Sequence, residues 1–187
     1  REVSERGAVP SVWKLSALSA LARLTFAAVL DPYFLISAAS KIGGSDLSIG
    51  PDVAGTVLSL GAFYELAPGA LEAAGNDPAG LSLALRLGVQ ALVLAEAVLP
   101  VLLVVGLATR IAACGMIGLI AMTTMIDIFA RNAPPEVIGA LFDASPYDPI
   151  SDLRLLWIMV LAVPAVLGGG GLSLDASIRR LWHRGVV

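Results

Sequence analysis

The sequence predicts an all-α membrane protein: a four-transmembrane-helix bundle forming one membrane domain over residues 1–187, with a short interfacial or re-entrant helix in the connector between the first and second spans. Three observations predict it. Of 187 residues, 57% are hydrophobic and only 14% are charged, against about 25% charged in an ordinary globular chain, so a water-facing surface cannot be assembled from them. Mean hydropathy is +0.86. Four apolar runs approach the roughly 20 residues needed to cross a bilayer, and they leave only tails and connectors for anything else. No separate soluble catalytic domain is expected within these 187 residues.

The first span runs over about 15–39 and the second over about 83–107. The third, about 111–130, comes after only Ala108, Thr109 and Arg110, so the second and third must be antiparallel neighbours in a hairpin. The fourth, about 153–167, is shorter and ends in Gly168 to Gly171, a run that no helix continues through easily. Pro100 and Pro164 each leave a backbone carbonyl without its helical donor, so kinks are expected there. The 1–2 connector, roughly 42–82, opens with Gly43, Gly44 and Ser45 and contains an apolar stretch from Thr56 to Ala67 between Pro51 and Pro68. It is too short to span and reads as the interfacial or re-entrant helix, a lid over one mouth of the bundle.

Basic residues set the orientation. Arg1, Arg6 and Lys14 precede the first span, Arg110 lies in the 2–3 connector, and Arg179, Arg180 and Arg184 come after the fourth span, while the opposite face has Lys41, Arg86, Arg131 and Arg154. Both termini are therefore expected to be cytoplasmic. The acids, among them Glu65, Glu72, Asp77, Glu136, Asp143, Asp148 and Asp152, gather in the 1–2 and 3–4 connectors and make the outer face acidic. Such a face either meets a basic partner or simply keeps its loops solvated.

Arg23, Asp31, Glu96 and Asp127 lie inside the predicted spans. Each costs at least about 2 to 3 kcal/mol if left alone at the bilayer centre, so each needs a partner or a function. Glu96 sits in mid-span with nothing local to neutralise it. It calls for a salt bridge to Arg23, a protonated carboxyl, or a cavity filled by water or ligand, and Arg23 with Glu96 frames a candidate pocket for a quinone or another polar ligand. Asp31 precedes Pro32 and is placed to hydrogen-bond backbone exposed at the proline break. Asp127 either reaches the interface or meets Lys41 at the end of the first span. With Arg110, these three are expected to be structural intramembrane charges.

The remaining chemistry is sparse. One cysteine and one histidine exclude a disulfide, a thiolate cluster, a bis-histidine haem and a multi-histidine metal site within the chain. Cys114, beside Gly115, reads as a small packing residue, and Met116, Met122 and Met125 as core or lipid-facing side chains. Trp13, Trp157 and Trp182 fall at span ends and read as interfacial anchors, and His183 as exposed. No phosphate loop, nucleophile elbow or metal-ligand spacing occurs, and nothing points to nucleic acid.

Several runs resemble the DoxX-like integral membrane proteins. Arg23-Leu-Thr-Phe and Phe34-Leu-Ile-Ser-Ala-Ala-Ser-Lys41 are similar to that family's opening arginine and its FLxxGxxK ending. Ala95-Glu96 and Gly106-Leu-Ala-Thr-Arg110-Ile-Ala-Ala resemble its E…GLxTRxAA signature, and Asp152-Leu-Arg-Leu-Leu-Trp157 with Gly169-Gly-Gly-Leu-Ser-Leu-Asp175 its RLLW and GPGxLSLD. The Asp31-Pro32 pair and the long 1–2 connector depart from the pattern. The resemblance implies a four-helix subunit of a bacterial-type inner (cytoplasmic) membrane, associated with redox systems such as a thiosulfate:quinone oxidoreductase. It raises two functions as expectations. One is an accessory or anchor subunit, without metal or haem of its own, docking a larger membrane or periplasmic redox complex. The other is a quinone-binding oxidoreductase subunit, with quinone the one cofactor to expect. Small-solute transport is a third reading, disfavoured by the lack of a repeated half.

Overall fold

The computed structural model describes residues 12–42 and 58–184. Arg1, Arg6, and the stretch from Gly43 to Val57, with the start of the expected lid, lie outside the described residues, as do the side chains of His183 and Arg184. Among the described residues the protein is helical throughout, with an isolated antiparallel bridge between Ile42 and Leu58.

The first apolar run folds as two helices, α1 (Val12–Val29) and α2 (Asp31–Lys41), broken at Leu30. Pro32 brings no N–H to the ladder, yet Leu30 N donates to Phe26 O and Phe34 N to Leu30 O, so the chain bends without losing its path. Two short helices come next, α3 (Leu60–Leu66) and α4 (Pro68–Ala73). The Ser59 hydroxyl caps α3 by accepting from Ala62 N, and Pro68 occupies the first turn of α4, where no N–H is missed. Within the expected Thr56–Ala67 stretch the described residues form α3, and a further short helix, α4, begins at the Pro68 that bounds it.

The second apolar run is α5 (Leu83–Val105), capped by Ser82 and ended by Gly106 in the left-handed region. After Leu107 and Ala108 comes α6 (Thr109–Met125), whose last turn widens into a π-helical segment, Ile126–Ala130. A four-residue helix, α7 (Pro135–Ile138), lies in the next connector, then α8 (Asp152–Leu167) and a helix that the hydropathy reading missed, α9 (Leu174–Arg184).

α5 packs on α2 and α6, α6 on α8, and α8 on α1, so the long helices close a ring of neighbours. Its core is Phe26, Phe34, Leu103, Met116, Ile120 and Leu161, all nearly inaccessible. A second cluster, with Phe63, Leu71, Val89 and Val93, fastens α3 and α4 to the start of α5. Three segments, Val12–Val29, Leu83–Val105 and Thr109–Ala130, are long and apolar enough to cross a membrane, as a multi-pass membrane protein requires. Most of each faces outward, and Leu21, Leu24, Ile36, Ile111, Phe129 and Val166 are exposed. That surface suits lipid, not water. α8 has 16 residues, about 24 Å of helix.

Candidate functional site

The helices place charge at two levels. At the end holding the α5–α6 hairpin, Arg23 of α1 is buried and donates four hydrogen bonds to main-chain carbonyls: Leu103 O at 2.9 Å and Val104 O at 2.6 Å on α5, then Gly169 O at 2.8 Å and Leu172 O at 3.0 Å beyond α8. Two of these carbonyls lie at the C-terminus of α5, where a cation is favoured and where Leu103 O also accepts from Gly106 N, and two lie in the loop after α8. Ser19 donates to Gly168 O beside it. The expected Arg23–Glu96 salt bridge is therefore corrected. The guanidinium is consumed by backbone at the hairpin end, while Glu96 lies two turns away along α5.

Glu96 pairs instead with Lys41, the last residue of α2. Lys41 is 2% exposed, and its ammonium makes contacts of 2.7 Å to Glu96 Oε2, 3.0 Å to Glu65 Oε1 and 2.7 Å to Ser37 Oγ. Three donors meet three acceptors, which makes burial of the charge tolerable. Pro100 adds a local effect: it has no N–H to offer the Glu96 carbonyl four residues earlier.

Asp127 is the second correction. It meets Arg154 of α8 rather than Lys41, and Arg131 at 2.9 Å one turn along its own helix. Arg154 also donates to Thr124 Oγ1 at 2.9 Å. The π-helical turn explains the aim of Asp127, since an extra residue in the turn rotates the side chains there relative to a regular helix. Asp31 precedes Pro32 as the sequence requires, but its buried Oδ1 finds no hydrogen-bond partner among the described residues, so the expected backbone bond is absent. Arg110 is exposed at the start of α6.

Between the two charged groups lies a cavity of about 210 Å³. Glu65 and Glu96 line one side, Asp127, Arg131 and Arg154 another, and Thr123 lies between them on α6. Tyr33, Phe34 and Trp157 also line it. Their rings form one cluster, with centroids 5.2 Å apart for Tyr33 and Phe34, 5.4 Å for Tyr33 and Trp157, and 6.1 Å for Phe34 and Trp157. Trp157 is thus a half-buried cavity wall and not simply an interfacial anchor. Arg23 does not line this cavity. Of the residues singled out in sequence, Glu96 and Asp127 are brought to it, with Lys41 directly behind Glu96. Glu65, Arg154, Tyr33 and Phe34 were missed as site residues. The one available signal was the presence of Glu65 and Arg154 at the edges of apolar runs.

One smaller reading also changes. Cys114 is exposed, and the close approach of α5 to α6 falls at Gly115, where an added Cβ would lie 2.8 Å from Leu99. Met116 is core, while Met122 and Met125 face outward, as read from sequence.

At the hairpin end, Asp175 of α9 accepts from Ala108 N at 2.8 Å, Thr109 N at 2.9 Å and Thr109 Oγ1 at 2.7 Å, capping α6 from a distant part of the chain. Burial acts to raise the Asp175 carboxyl, but the hydrogen bonds from Thr109 and Ala108 and the charge of Arg179 together outweigh it, holding the group below the ordinary carboxylate range.

Comparison with protein-family models, with curated proteins and with solved structures finds no match. Of the residues in the motif runs, Arg23, Gly106, Thr109, Gly169 and Asp175 meet at the hairpin end, and Phe34, Glu96, Arg154 and Trp157 line the cavity.

Proposed function

We infer that this chain is a four-span, DoxX-like membrane subunit whose cavity binds the headgroup of a lipid-soluble carrier of the quinone class. The observation that supports this best is the cavity itself: an aromatic wall of Tyr33, Phe34 and Trp157 facing paired carboxylates and guanidinium groups inside an apolar ring. A flat ring stacks on such a wall, and ring oxygens need donors such as the Arg154 and Arg131 guanidiniums on the lining. A quinone supplies reversible two-electron, two-proton chemistry when bound. The chain's own residues orient it, with the Glu96 carboxylate fixed by the Lys41 ammonium on the cavity lining. Electrons then belong to a partner that carries a metal or haem, because this chain has neither the cysteines nor the histidines to hold one.

In this reading α1 and α2 together make the first crossing, α5 the second, α6 the third and α8 the fourth, with both termini cytoplasmic. The Lys/Arg count in the sequence leans that way: Arg1, Arg6, Lys14, Arg110, Arg179, Arg180 and Arg184 fall on the side of the termini and the 2–3 connector, against Lys41, Arg86, Arg131 and Arg154 on the other. The accessory-subunit reading keeps one supporting observation, the carboxylates of Asp143 and Asp148 on the connector gathered close to Asp152 at the start of α8. They give the outer face a surface for a basic partner.

The test is purification in mild detergent from the native membrane, then solvent extraction and mass spectrometry. A quinone-class molecule should be retained by the native protein and lost from Thr123→Phe, which plugs the cavity. Equal recovery from both would place any quinone outside it.

A further inference from the structure

At the hairpin end, remote from that cavity, two open clefts of about 530 and 450 Å³ meet at Arg110, Leu167 and Arg179. The first has apolar walls from Ile111 and Ile178, the second from Val12, Leu15 and Val166. The Arg110 guanidinium has no carboxylate or hydrogen-bond partner among the described residues. Arg179 is exposed beside Asp175, whose oxygens already serve the α6 cap. Arg180 donates to Gly171 O at 2.7 Å and Lys14 is exposed at the same end. Asp175 is thus the one acid in the 530 Å³ cleft, and the second has none. α9 runs alongside, with Ile178, Leu181 and Trp182 exposed and basic residues between them, the pattern of a helix lying in a bilayer interface.

We propose that these clefts are a binding site for an anionic phospholipid, its phosphate held between Arg110 and Arg179 and its acyl chains along the apolar walls on either side of the α8 end. Charge complementarity selects the headgroup: two guanidiniums over apolar surface at a helix end match a phosphate that still carries its chains, as basic pockets between membrane helices do. The site is independent of the quinone reading and requires only that the apolar helices cross a bilayer.

Native mass spectrometry tests it, using the purified full chain mixed with equimolar phosphatidylglycerol and phosphatidylcholine of identical acyl composition. Retained phosphatidylglycerol should exceed phosphatidylcholine by about fivefold or more, as one or two interfacial guanidiniums imply. The preference should fall to parity in R110Q/R179Q and persist in R110K/R179K, which keeps the charge and reports on folding. R110Q alone, at a side chain with no protein acceptor, gives a reduced preference and serves if the double variant does not fold. Parity in the native protein, or a preference unchanged in a folded R110Q/R179Q, overturns the proposal. So does displacement of the lipid by millimolar inorganic phosphate, which would make this an anion site with no use for the apolar walls.

Discussion

Lys41 carries more of the site than its position at the end of a span foretold. Its ammonium is the counter-charge for Glu96 and Glu65 together, and removing one partner of a buried pair costs about 3 to 5 kcal/mol because the other charge is left behind. Lys41→Met should therefore lower thermal stability in detergent by about that amount, and adding Glu96→Gln should restore part of it. Glu65, whose side chain is 40% exposed, should behave as a surface partner, with Glu65→Ala costing about 1 kcal/mol or less. A Glu65→Ala loss equal to that of Lys41→Met would show that the pairing is shared differently. The need for a partner at Glu96 was legible in the sequence, since a mid-span carboxylate is expensive alone. The partner was not, because Arg23 and Lys41 are both candidates until the depth of each along α5 is known. Arg23 spends its donors on carbonyls, a use that leaves no acidic trace in the sequence.

Among the helices, apolar length gave α5, α6 and α8 to within a few residues, and the three-residue connector gave the α5–α6 hairpin. The break between α1 and α2 was announced by Asp31-Pro32, whereas α9 was hidden because a basic amphipathic helix has no long apolar run. The π-helical turn at Asp127 likewise leaves no mark in hydropathy, yet it turns that carboxylate toward Arg154. The cap that Asp175 places on α6 joins residues 66 positions apart, beyond any local capping pattern. It has a pH signature. Because the folded state holds this carboxyl below its ordinary value, the stabilisation is complete above about pH 4 and is lost as pH falls through the depressed value. Asp175→Asn should lower the melting temperature at pH 7 and flatten the acid limb of the stability profile below about pH 4. Melting curves across pH in detergent check this, and an acid limb identical in both proteins would contradict it.

For the molecule as a whole, the two ends divide the labour. At the hairpin end, Arg23, Ser19, Asp175 and the glycines of the loop after α8 tie the helix ends together beneath two open surface clefts, and the opposite end keeps a smaller cavity between ion pairs. Composition foretold the outward apolar surface. The cavity was beyond the sequence because its walls come from α2, α3, α5, α6 and α8, and periodicity within a helix does not say which faces leave space between them. The most direct test of the account is a fluorescence titration of Trp157. With Trp13→Phe and Trp182→Phe, it is the sole tryptophan, and it lines the cavity. A short-chain quinone added to this protein in lipid nanodiscs should quench its emission saturably, and Glu96→Gln should raise the half-saturation concentration by about tenfold, the loss of roughly one good interaction. Quenching that rises without saturation, equal to that of a protein retaining only Trp13, would mean that the quinone merely dissolves in the bilayer and that the cavity does not bind it.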